Sequence, residues 1–328
     1  MQIKAISTYL PEKKITNEEL AHQFNVSPED IFKKTGVLVR RHTSLNINMQ
    51  KMAEYAANQL FEQDPDIRSQ IDALILVGHG FSYKAPNTSA ILQYTLKLSE
   101  KCFCIDLPHG CTGYIYGLSI AHSLIQSKIA KNILLLTADT PSYTIRKDDL
   151  ELLSIFGDSA TATFITNSNT STPFEKFIFY TDGSGYDKLI VERSGQVNPP
   201  DFLYLQQYPN LPYGIMKMDG TAIFLMSIKR VPNLIYETLE KNNLRIEDID
   251  YFVFHQANSF MLEVLRKKLK IPEDKFFNDI RYTGNTVSSS IPIALQQLIK
   301  ENKLQRGMKL LLAGFGLGYT LGATVIEF

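Results

Sequence analysis

Runs of almost unbroken apolar residues alternate along this chain with stretches whose apolar positions recur every three to four residues. The runs Ile71–Val77 (IDALILV), Asn132–Thr137 (NILLLT), Ile249–His255 (IDYFVFH) and Lys309–Ala313 (KLLLA) have the length and character of strands buried on both faces of a parallel sheet. Helical spacing lies between them. Met52, Tyr55, Ala56 and Leu60 predict a helix over Met49 to Phe61, and further helices are predicted from Asn87 to Leu98 and from Val231 to Lys241. The chain opens with a predicted strand, Ile3 to Tyr9, and a helix started by the capping pattern Thr16-Asn17-Glu18-Glu19. Ser27-Pro28-Glu29-Asp30 starts a second short helix.

The second half repeats the first. Ile249–His255 mirrors Ile71–His79, each behind an amphipathic helix, and Lys309–Ala313 mirrors Asn132–Leu136. Each of the latter leads into a Gly-containing turn and a strand, GDSATATFI in one half and GYTLGATVIEF in the other. Four elements in register predict an α/β protein of two duplicated halves with two related sheets. The polar stretch NSNTST at 167–172 is the most linker-like in the chain and divides residues 1–168 from 169–328.

Chemistry first shows between the matched strands. An apolar run over Cys102–Leu107 predicts a buried strand, Pro108-His109-Gly110 a tight turn, and Cys111 the start of an apolar helix reaching Ala121. A thiol there meets unpaired backbone N–H groups and the positive end of the helix dipole, which favour thiolate, although free cysteines are also common packing residues. In the second half the corresponding helix opens at Gly284-Asn285-Thr286, so pseudo-symmetry places Asn285 opposite Cys111. His255 ends a buried strand, where open α/β sheets present functional groups.

Composition narrows the classes. The 328 residues are 44% hydrophobic and carry no net formal charge, which argues against a nucleic-acid binder or a polybasic membrane anchor. The first residues hold too short an apolar run for a signal peptide, and no stretch approaches a membrane span, so a soluble cytoplasmic protein is expected. The three cysteines at 102, 104 and 111 lack paired C-x-x-C knuckles, so no metal site is expected.

Taken together, several motifs resemble the 3-oxoacyl-[acyl-carrier-protein] synthase III family, of thiolase-like fold. They are TGVLVRR at 35–41, CTGY at 111–114, GDSATA at 157–162, HQAN at 255–258, GNTVSSSIPIAL at 284–295 and GFGLGYTLGA at 314–323, in order along nearly the whole chain. The resemblance implies layered αβαβα architecture and a homodimer without a cofactor, acting on acyl thioesters of coenzyme A or acyl carrier protein. It implies Cys111 as acyl-carrying nucleophile and the backbone N–H groups of Cys111 and Leu317 as an oxyanion hole. His255 and Asn285 would stabilise the enolate of a decarboxylating malonyl-type acceptor, which then attacks the acyl-enzyme. Arg266, Lys267 and Lys268 follow HQAN where the family presents positive charge to its carrier protein.

Three departures from the family pattern bear on the donor. Asp30 stands where acetyl-coenzyme A-using members carry a Trp that stacks on adenine, and Phe260 replaces a basic residue after HQAN. Ala85 falls where some members close the acyl pocket with a Phe. A donor larger than acetyl is expected, in a fatty-acid-like or specialised lipid or polyketide pathway. Alternatives are transfer of the acyl group to an oxygen or nitrogen nucleophile without decarboxylation, and an inactive partner subunit of a heterodimeric synthase. The remaining histidines, His79, His109 and His122, read as structural.

Overall fold

The computed structural model describes residues 1–44, 46–167, 176–192, 194 and 214–328. Of the expected boundary segment, residues 168–172 lie outside the described residues.

Two five-stranded sheets carry the fold. The first joins β1 (Gln2–Tyr9), β4 (Ala73–Val77), β5 (Phe103–Leu107), β6 (Asn132–Asp139) and β7 (Ser159–Thr166) in the order β1-β7-β6-β4-β5. The second joins β8 (Phe177–Thr181), β11 (Tyr251–Phe254), β12 (Phe276–Phe277), β13 (Lys309–Gly316) and β14 (Thr320–Glu327) in the order β12-β11-β13-β14-β8. Read from β5 and from β12, the two orders correspond strand for strand. So do the directions: β4 is parallel to β5 and β6, β11 to β12 and β13, and the remaining pairs are antiparallel. Two short two-stranded antiparallel sheets, β2 (Lys14–Thr16) with β3 (Val39–Arg41) and β9 (Leu189–Glu192) with β10 (Ile215–Met218), lie outside these layers.

Strand periodicity explains the stacking. Leu310 and Leu312 of β13 face a central layer made by the helices Gly113–Gln126 and Ser290–Lys300, where they meet Leu118, Leu295 and Ile75 of the other sheet. Their neighbours Leu311 and Ala313 face outward onto the helices Gly220–Lys241 and Ser259–Lys268. On the other side Leu74, Leu76, Leu134 and Leu136 pack against Met52, Ala56 and Leu60 of the helix Met49–Gln63. Period two along the strands thus yields five layers, α-β-α-β-α.

Two expected elements differ. The Cys102–Leu107 run is, among the described residues, an edge strand with β4 as its one neighbour; Phe103 is 38% exposed and Cys104 to Asp106 are half-buried. Its apolar composition looks the same as that of a central strand, and only sheet order separates them. The helix expected from Val231 starts earlier, at Gly220, where Asp219 accepts the Ala222 N–H. Pro232 continues inside it, buried in the second outer layer. Among the described residues no helix is long and apolar enough to cross a membrane.

Candidate active site

Cys111, His255 and Asn285 converge on one residue, Val287. Its side chain packs in a cluster with Cys111, Ile145, Leu152 and Phe156. Its N–H donates to Asn285 Oδ1 at 2.9 Å, and its backbone lies beside the His255 ring, where it favours the protonated form. All three are nearly enclosed: Cys111 and Asn285 are 5% exposed and His255 1%.

Cys111 does not itself open the helix. It precedes the cap position Thr112, and the helix begins at Gly113. The glycine-rich end of β13 lies against it. A Cβ on Gly316 would stand 2.8 Å from Cys111 Cβ and 3.0 Å from Sγ, so no other residue fits without displacing the thiol. The backbone N–H groups of Cys111 and Leu317 both donate toward the sulfur. They are outweighed: burial, joined by the nearby Asp139 carboxylate, pushes the thiol up to about 12. This corrects the expectation of a helix-stabilised thiolate, because desolvation in an apolar cluster exceeds what two N–H groups return. Below that value the thiolate fraction grows tenfold per pH unit. Alkylation of Cys111 by iodoacetamide is therefore expected to accelerate steadily from pH 6 to 9 with no plateau; a plateau near pH 7 would contradict this environment.

His255 follows β11, and its N–H donates to Ala313 O at 2.7 Å. Its ring lies edge-on to Phe315, and Nδ1 is 2.7 Å from Ser290 Oγ. Burial pushes the imidazole down to about 3, so it is neutral at physiological pH.

Asn285 reaches the site on a strap from the other half. Its N–H donates to Ile155 O at 2.8 Å and its carbonyl accepts from Gly157 N–H at 3.0 Å. Gly284 allows the approach, with φ of +68° and a Cβ position 2.6 Å from Ile155 O. Since Oδ1 is taken by Val287 N–H, Nδ2 is the donor left for a ligand. A 3-10 turn, Val287–Ser289, separates Asn285 from the helix Ser290–Lys300, so the match with Cys111 is one of region rather than helix position.

The other expected residues are spread out. Ala85 is exposed on the segment between β4 and the helix Thr88–Thr95, ahead of the cis-proline Pro86. Arg266 holds Glu263 through two contacts and also donates to Ile271 O, while Lys267 reaches Glu263 at 3.2 Å. Glu263 thus offsets part of the basic run; Lys268 is exposed, with no ion pair among the described residues. Asp30 is exposed, 3.9 Å from Lys33. Phe260 is 58% exposed and stacks on Phe224 at 5.6 Å. His109 stacks on Tyr116, and the His79 ring packs beside Gly110.

Sequence reading missed Asp139, Ser288, Ser289 and Ser290. Asp139 ends β6 and is 3% exposed; burial pushes its carboxyl up to about 7 against hydrogen bonds from Ser288 and His79. A charged residue closing an apolar strand was the available signal. Fully buried Arg40 braces the Asn285 strap from below, donating to Asn17 Oδ1 and Ser154 O at 2.8 Å. An open cleft of about 780 Å³, lined by Tyr9, His42, Tyr55 and Arg68 among others, lies apart from this chemistry. Among the described residues no three His, Cys, Asp or Glu side chains gather as metal ligands.

A family model described as 3-Oxoacyl-[acyl-carrier-protein (ACP)] synthase III matches residues 105–183, and the model of its C terminal matches 239–328. The chain is 34% identical over 319 residues to the beta-ketoacyl-[acyl-carrier-protein] synthase III of Clostridium perfringens ATCC 13124, covering 97% of this chain and 96% of the relative. It is 30% identical to the corresponding protein of Aquifex aeolicus across the full length of both. A crystal structure of a 3-oxoacyl-(acyl-carrier-protein) synthase III superposes with a TM-score of 0.92 at 35% identity, covering 99% of each chain. The Aquifex aeolicus synthase III structure superposes with 0.89 at 30% identity over the same share. The chain belongs to the 3-oxoacyl-[acyl-carrier-protein] synthase III family, acyltransferases of thiolase-like fold.

Proposed function

We propose that this chain is a condensing enzyme that loads an acyl group on Cys111 and extends it with a malonyl unit delivered on acyl carrier protein. The convergence of Cys111, His255 and Asn285 on Val287 carries this reading. Cys111 sulfur attacks the donor thioester, the thiol proton leaves with the departing coenzyme A or carrier thiol, and the oxyanion is held by the N–H groups of Cys111 and Leu317. Malonyl-carrier protein then enters. Its thioester carbonyl takes hydrogen bonds from the His255 imidazole and Asn285 Nδ2 as carbon dioxide departs, and the resulting enolate attacks the acyl carbon, breaking its bond to sulfur and expelling the Cys111 thiolate, which takes up a proton from water. A neutral imidazole suits this step, since it donates without introducing a proton that would quench the enolate.

The donor is larger than acetyl. Asp30 offers no ring to an adenine and repels phosphate, and Ala85 leaves space where a bulky side chain would close a pocket. The protein acts as a homodimer joined along the free edge of β5. That edge carries half-exposed Phe103, and Ala85 is linked to it, because Asp106 of β5 accepts the N–H groups of Thr88 and Ser89 at 2.7 Å. A partner on this edge would cover Ala85 and complete the acyl pocket. Arg266, Lys267 and Lys268 form the carrier-protein contact, with Glu263 tempering it. The products feed a fatty-acid-like or specialised lipid or polyketide pathway.

Intact-protein mass spectrometry after incubation with acyl thioesters from acetyl to medium-chain length tests the donor assignment. Medium-chain acyl mass on Cys111 is expected to form about tenfold or more faster than acetyl, as a few methylenes in an apolar pocket discriminate. Rapid acetylation with inert medium-chain donors would refute it.

A further inference from the structure

Three consecutive serines follow the Asn285 turn, and each holds a different group. Ser288 Oγ donates to Asp139 Oδ2 at 2.5 Å, and its N–H donates to the same oxygen at 3.1 Å. Ser289 Oγ bonds Thr137 Oγ1 at 2.8 Å, and Thr137 in turn bonds Thr161 at 2.6 Å. Ser290 Oγ meets His255 Nδ1. The first two serines therefore cross from the second half to β6 of the first, whose Asp139 also accepts the His79 N–H at 2.8 Å.

Between Asn285 and Ser288 lies a backbone that does not hold itself. Val287 has φ of +54°, a left-handed conformation that a β-branched residue rarely adopts. Such an outlier persists where its surroundings over-determine it, and it clusters at functional sites. Here Asn285 Oδ1 fixes the Val287 N–H, and Asp139 fixes the next N–H along together with its hydroxyl. Both Asp139 oxygens accept, Oδ1 from the His79 N–H and Oδ2 from the Ser288 N–H and hydroxyl. An asparagine in its place has one acceptor oxygen and an NH₂, and so must face at least one of the three donors with another donor.

We propose that Asp139 and Ser288 form a clamp between the halves that positions the strained Val287 turn, and with it Asn285 and His255, for the malonyl step. This rests on the condensation reading given above. Both are positioning residues. The two backbone donors at the sulfur, the N–H groups of Cys111 and Leu317, belong to the Cys111 turn and to the end of β13 rather than to the clamp, but the Asp139 carboxylate also raises the Cys111 thiol, so Ser288 is the position that separates the two half-reactions.

The test compares Ser288→Ala, Ser288→Thr and Asp139→Asn with wild type in the full-length protein. Acyl loading is followed by mass, carbon dioxide release from malonyl-carrier protein by isotope, and amide exchange by peptides spanning 284–290. In Ser288→Ala and Asp139→Asn, carbon dioxide release is expected to fall about 10- to 100-fold through kcat, the scale on which small misplacements act. In Ser288→Ala acyl loading should stay within about threefold, whereas Asp139→Asn, which removes the carboxylate that raises the thiol, should load no slower than wild type; in both the 284–290 amides should exchange faster, and Ser288→Thr should restore release by returning the hydroxyl. A general loss of packing would slow loading equally and would not be rescued, and that outcome overturns the proposal, as does unchanged release in both variants. Wild type that loads acyl but frees no carbon dioxide refutes the condensation reading alone; unchanged 284–290 exchange in Ser288→Ala then overturns the clamp by itself.

Discussion

His255→Ala is expected to cut carbon dioxide release from malonyl-carrier protein by about 10²- to 10³-fold, the loss seen when a donor to a developing oxyanion is removed. Acyl loading on Cys111 should continue, since the donors trained on its sulfur are backbone groups of Cys111 and Leu317. Asn285 calls for a subtler change, because its side chain has two jobs. Its oxygen holds the Val287 N–H and its nitrogen is the group left for substrate. Asn285→Asp keeps the first and removes the second while adding a negative charge beside the enolate. Release should therefore fall at least as far as in His255→Ala, with the protein folded and loading retained. The same separation of half-reactions in both variants, measured by mass for loading and by isotope for release, checks the assignment; equal loss of both would contradict it. The pH profile adds a sign. With its imidazole held down to about 3, His255 stays neutral from pH 5 upward and contributes no acid limb to the rate of release in that range.

Gly316→Ala is the second large effect, and it falls on the opposite half-reaction. The added methyl would lie 2.8 Å from Cys111 Cβ and 3.0 Å from Sγ, and Cys111 is itself buried in an apolar cluster. The thiol must rotate away from the Leu317 N–H or the β13 end must shift, and either way the oxyanion loses a donor. Acyl loading is expected to drop about 10²-fold or more. Gly183→Ala makes a fitting control, as its added methyl meets nothing within 4 Å, and it should load at the wild-type rate. Slow loading by the control, or normal loading by Gly316→Ala, would show that contact at the sulfur is not what limits the reaction.

Much of this architecture was legible from pattern. Ile71–Val77 and Ile249–Phe254 read as equivalent strands from their apolar runs, and β4 and β11 occupy equivalent places in sheets of the same order. Cys111 and Asn285 stood out at the expected starts of equivalent helices in the two halves, and His255 at the end of an apolar strand. What stayed hidden depends on three-dimensional partners. The edge position of β5 has no signature in FCIDL, since pairing on one side or two is decided elsewhere in the chain. The depressed acidity of Cys111 was misjudged in sign because a helix N-terminus is local, while burial by Val287, Phe156 and Leu152 is not. The serine run at 288–290 looked like turn chemistry. Its meaning lies in Asp139 and Thr137, about 150 residues away in the chain. Glu263 likewise altered the basic run only once the helix Ser259–Lys268 placed it one turn from Arg266 and Lys267.

The central claim is that one thiol carries the acyl group and one pair of donors drives decarboxylation onto it. The most direct measurement follows wild type and Cys111→Ala with a medium-chain acyl thioester and carboxyl-labelled malonyl-carrier protein, reading protein mass, released carbon dioxide and the carrier-bound product together. The account predicts acyl mass on wild type, matched release of carbon dioxide and a β-ketoacyl-carrier product, with neither acyl mass nor product from Cys111→Ala. Acyl mass on wild type that passes to an oxygen or nitrogen acceptor with no carbon dioxide released, or product formed by Cys111→Ala, would contradict it.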